Sequence, residues 1–212
     1  MTAEHDASAR APAERRPWRR LTAGGTDANE ELTAITAVVL LLLLAALGVT
    51  IVRIGRLLDV HMFLGMLLLG PVALKLASTG YRFVNYYAGT PRYVAKGPPP
   101  LVLRLNAPIL VLSTLAVFAT GVVLLAAGPA SRDPFGLLHK ASFIVWIAFM
   151  ALHVLGHVFE LPASLRASSR RPWDDRGAGR GARAALLASS LVLGTALAIA
   201  VIPLFGAWAG GR

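Results

Sequence analysis

The chain has 212 residues, of which 56% are hydrophobic and only 15% charged, a balance that sets aside an ordinary soluble domain and points to the lipid bilayer. It contains no cysteine, which excludes disulfides, thiol catalysis and cysteine-held iron–sulfur clusters and leaves histidine as the good nitrogen ligand for a metal. The formal charge of +10 is divided among short segments between apolar runs, so it argues for membrane topology and against a nucleic-acid partner.

Residues 1–31 combine five arginines and six acids with Ala, Pro and Gly and have no hydrophobic periodicity, the composition of a disordered basic tail. Glu30 and Glu31 separate this tail from a long apolar run, which suits an uncleaved helix better than a signal peptide. The first predicted span is Leu32 to Val52. A turn with Arg53, Arg56 and Asp59 leads into the second, Leu57 to Thr79, which carries His61 and is expected to be broken at Gly70 and Pro71. Gly80 to Leu105 reads as an interfacial loop of basic residues and tyrosines. Asn106 to Gly128 is the third span, and the short turn of residues 129–134 makes it an antiparallel neighbour of the fourth, Phe135 to Leu161. Pro162 ends that helix, residues 163–183 form a basic loop, and residues 184–212 hold a fifth span, Ala184 to Phe205, with a short tail. The fold class is therefore all-α integral membrane: a four-helix bundle over residues 32–162 plus a fifth transmembrane helix.

The N-terminal tail and the loops after spans two and four carry 15 Lys/Arg, against 4 in the opposite loops and the C-terminal tail. The positive-inside rule then puts the N-terminus in the cytoplasm of a plasma (inner) membrane protein. Spans two and four both run from outside to inside.

The fourth span is unusual because it holds three histidines, His139, His153 and His157, and an apolar helix in lipid gains no stability from any of them. At about 100° per residue, spacings of 14 and 4 bring all three to roughly one helix face, with His139 and His153 roughly 21 Å apart along the axis. His61 sits as far inside the second span as His139 inside the fourth, so the topology puts these two imidazoles at one depth. Two neutral imidazoles facing each other across a bundle suit the axial positions of a haem iron, which would also remove the cost of leaving their nitrogens unpaired in lipid. Gly65, one turn beyond His61, leaves room for a flat ring. Lys140, Arg53, Arg56 and Arg132 fall at the same membrane edge, where they could meet haem propionates.

Histidines on the second and fourth helices, with a fourth-helix pair 14 apart, give the chain a pattern that resembles the membrane-bound b-type cytochromes of the cytochrome b superfamily, over about Leu32 to Pro162. In that family two haems stack across the bilayer, each held by one histidine from each helix. The resemblance implies one haem b on His61 and His139, with His153 matching the fourth-helix ligand of a second. Here the second-helix position 14 after His61 is Lys75, not histidine; as a plain membrane residue, Lys75 would snorkel to the cytoplasmic headgroups.

Other readings weigh against each residue. His153, His157 and Glu160 share a face and could hold zinc instead. Trp146 with Phe143, Phe149 and Phe159 reads as ordinary packing. The function that the resemblance implies is electron transfer through bis-histidine haem, as a subunit of a redox system with a partner protein or quinone in the lipid. No nucleophile motif, acid/base pair or nucleotide-binding loop suggests a self-contained enzyme. The alternatives are a haem-free structural or sensory membrane subunit and, less well matched to five spans without a repeat, a transporter.

Overall fold

A computed structural model describes residues 25–97, 100–158 and 180–209, and their ordered elements are helical. Five helices are long and apolar enough to cross a membrane. They are α1 (Gly25–Val52), α2 (Ile54–Tyr87), α3 (Leu101–Ala127), α4 (Arg132–Val158) and α5 (Arg180–Ala200). Leucines such as Leu42, Leu112 and Leu137 are exposed, whereas Thr36, Thr50, Asn106, Ser113 and Thr114 are buried. Lipid accepts the apolar exterior, and backbone polar groups are satisfied inside the helices.

The helices form two packed groups. α3 lies along α4; α2 lies between α1 and α5 and touches α3 only lightly. Between the groups runs a cavity of about 1880 Å³, lined by residues from α1 to α4 and by none of the residues of α5. The fifth helix therefore backs α2 and leaves the four others to enclose the interior.

Several boundaries differ from the expectations. α1 begins at Gly25, so residues 25–31 join the helix instead of the tail. Glu30 reaches Arg82 (3.4 Å) and Lys96 (2.6 Å), and Glu31 reaches Arg183 (2.8 Å), contacts that hold the first turns of α1 against α2, its following loop and α5. These acids also lie near the positive end of the helix dipole. α2 continues two turns past Thr79 to Tyr87, so the loop is shorter than Gly80 to Leu105. α5 stops at Ala200 ahead of Pro203, which sits in the 3₁₀ turn Ile202–Phe205, and a last helical turn covers Gly206–Ala209. The tail before residue 25, the end of the fourth span with Phe159, Glu160 and Pro162, and most of the basic loop lie outside the described residues.

The expected break at Gly70 and Pro71 is absent. α2 runs straight through both residues, and its non-helical backbone is at Leu57 (φ −115°, ψ 23°). Pro71 has no N–H to bond the Leu67 carbonyl one turn earlier. Gly194 of α5 lies against that carbonyl, and Gly70 lies against the carbonyl of Ser190, so closely that a Cβ on either glycine would collide with the facing oxygen. Close backbone approach through small residues is how membrane helices gain contact without a hydrophobic driving force.

Candidate functional site

His61 on α2 and His139 on α4 face each other across the cavity, with ring centres 6.5 Å apart and planes crossing at 86°. Each ring is oriented by a threonine of the preceding helix. Thr50 Oγ1 of α1 lies 2.9 Å from His61 Nδ1, and Thr120 Oγ1 of α3 lies 3.1 Å from His139 Nδ1. A hydroxyl has one proton to donate. Thr50 commits it to the Leu47 carbonyl at 2.6 Å, and Thr120 to the Ala116 carbonyl at 2.7 Å. With the hydroxyl proton on the carbonyl, Nδ1–H would donate to the threonine oxygen and the lone pair of each imidazole would be left on Nε2. This is the tautomer a metal binds, fixed by an outer hydrogen bond as in most metal-bound histidines.

The separation has a chemical meaning. With metal–nitrogen bonds of about 2.0–2.1 Å, as for imidazole on zinc, and about 1.1 Å from nitrogen to ring centre, two imidazoles on opposite sides of one metal stand roughly 6.2–6.4 Å apart. The observed 6.5 Å is close to the separation that a metal held by both rings would require. Among the described residues no cluster of three or more His, Cys, Asp or Glu could hold a metal ion. A group held between the two imidazoles would take one nitrogen from each.

The surroundings leave room for such a group. Gly65 lines the cavity with open space where a side chain would stand. Gly121, next to Thr120, lets the His139 ring lie against α3, since a Cβ there would come within 3.1 Å of His139 Cε1. The cavity exceeds the roughly 300–1,000 Å³ of a typical small-molecule pocket and runs from the His61 and His139 pair to His153 and His157. Lys140 and Arg132 line its His139 end, whereas Arg53 and Arg56 do not; all four are exposed. The sequence-based edge cluster thus divides into two residues on the cavity rim and two away from it.

The other end is built differently. His153 and His157 both line the cavity with ring centres 4.7 Å apart. Lys75 lines it too. Its ammonium donates to the Thr33 carbonyl, near the start of the first span on α1, at 2.9 Å, beside a Thr33–Ser78 hydroxyl bond of 3.2 Å. No second imidazole meets His153 from α2, and Glu160, the third member of the zinc alternative, lies outside the described residues. Trp146 packs as expected: its indole donates to Thr114 Oγ1 at 3.0 Å and its ring stacks on Phe143.

Sequence reasoning singled out the histidines and missed Thr50, Thr120 and Gly121. A threonine inside an apolar helix usually bonds its own backbone, as Thr36 does to the Leu32 carbonyl, so nothing in the sequence distinguishes these two. No known protein family, curated protein or solved structure is matched by this chain.

Proposed function

We propose that the chain is a membrane b-type cytochrome in which His61 and His139 hold one haem b, serving as an electron-transfer subunit of a redox system in the plasma membrane with its N-terminus in the cytoplasm. The observation that carries the reading is the imidazole pair, separated by 6.5 Å, with both Nδ1 positions tied to threonine. A bound haem supplies a one-electron iron couple. The chain's own residues orient the two Nε2 atoms, keep water from the lipid-buried centre and place Lys140 and Arg132 near the end where carboxylates would emerge. The distribution of basic residues supports the orientation, with His61 and His139 toward the outer leaflet. A quinol in the lipid or a partner reductase is the class of electron donor that suits a one-electron centre held inside a bilayer.

The reading is tested by titrating haem-free protein in detergent with haemin. Wild-type protein is expected to bind one equivalent and give a low-spin, six-coordinate spectrum. His61→Ala and His139→Ala should each abolish that spectrum, while His153→Ala should retain it. A folded protein that binds none would favour the haem-free structural reading.

A further inference from the structure

The C-terminal segment lies at the His139 end of the cavity. The 3₁₀ turn Ile202–Phe205 touches both α2 and α3, bridging the two helix groups. The following turn, Gly206–Ala209, sets Trp208 against α4, where the Arg132 guanidinium lies 5.7 Å from the indole centre. Trp208 is 7% exposed and lines the cavity with Arg132, Gly136, His139 and Lys140. Its Nε1–H is buried and has no acceptor among the described residues. A buried indole N–H normally finds a partner, so this one requires an explanation. Asp133 is on the same rim, but Arg132 and Lys140 leave the cations in excess.

We propose that Trp208 is the lid of the cofactor cavity and that its indole N–H donates to a carboxylate of the bound macrocycle, alongside Lys140 and Arg132. This rests on the haem reading above. Arg132 holds the indole plane over the opening, and the bridging turn fixes the lid to both helix groups. Trp208 is thus a positioning residue: it orients the cofactor's acidic edge and shields it from solvent.

Because the chain has no cysteine, one thiol reports the opening without background. Gly136→Cys is suitable, since a side chain there meets only the Arg132 Cγ, at an ordinary 3.6 Å. In haem-free protein, maleimide labelling of G136C should be slow and should accelerate about tenfold when Trp208→Ala is added. Trp208→Phe keeps the bulk and should leave labelling slow. In haem-loaded protein, Trp208→Phe should lose haem to a scavenging apoprotein about tenfold faster than wild type, as expected for removing one hydrogen bond to a charged acceptor. Equal labelling with and without Trp208→Ala overturns the lid, and equal haem loss in Trp208→Phe overturns the carboxylate contact. Protein that binds no haem at all overturns the assignment through the reading beneath it, and that outcome is distinct from a haem-loaded protein indifferent to Trp208.

Discussion

The decisive chemistry at the scale of single residues is the commitment of two hydroxyl protons. Thr50 and Thr120 each lie within hydrogen-bond reach of a carbonyl of their own helix and of an imidazole Nδ1; with each hydroxyl proton on the carbonyl, Nδ1–H donates to threonine and Nε2 keeps its lone pair. Under the proposed haem reading, these threonines are the outer partners that would orient the two ligands. Thr50→Val and Thr120→Val keep the shape and remove the hydroxyl; each is expected to weaken retention of the cofactor about 10–100-fold, the usual cost of losing an outer partner of a metal-bound histidine. Thr36→Val, whose hydroxyl bonds only the Leu32 carbonyl, should retain it fully, and haem loss to a scavenging apoprotein measures all three. His61 and His139 were legible in the sequence because histidine in lipid demands a reason. Their threonine partners were not, since which hydroxyl meets which ring depends on how neighbouring helices pack.

Among the elements, α2 brings a mid-helix proline together with a close backbone approach from another helix. Pro71 leaves the Leu67 carbonyl without its helical donor, and Gly194 covers that oxygen by bringing the α5 backbone against it. Gly194→Ala is expected to push α5 away and destabilise the protein by about 1–3 kcal/mol, the usual range for overpacking, read as a lower thermal midpoint in detergent. Gly48→Ala, with open space around it, should leave the midpoint unchanged. The five spans were readable from hydropathy, and their centres stand where expected. Their ends were less readable: the first turns of α1 are held by Glu30 and Glu31 through residues distant in sequence, and α2 stays helical through Gly70 and Pro71 where a break was expected.

For the whole molecule, the arrangement of two helix groups around a shared cavity sets what the protein can hold. The direction of the helices alone puts His61 and His139 at one depth, and the structure brings their ring centres within 6.5 Å, with the ring planes nearly perpendicular. At His153, the second position the resemblance implies, Lys75 is bound to the Thr33 carbonyl and no α2 side chain brings an imidazole there. The haem proposed here is the single one at the end of the cavity that carries Arg132, Lys140 and Trp208. The measurement that tests this most directly is a dithionite-reduced minus air-oxidised visible spectrum of protein purified from cells supplied with haem, together with the haem-to-protein ratio. Sharp b-type bands at a ratio near one, retained in His153→Ala and lost in His61→Ala and His139→Ala, are the predicted result. A folded but colourless protein, or bands that survive loss of both His61 and His139, would contradict it.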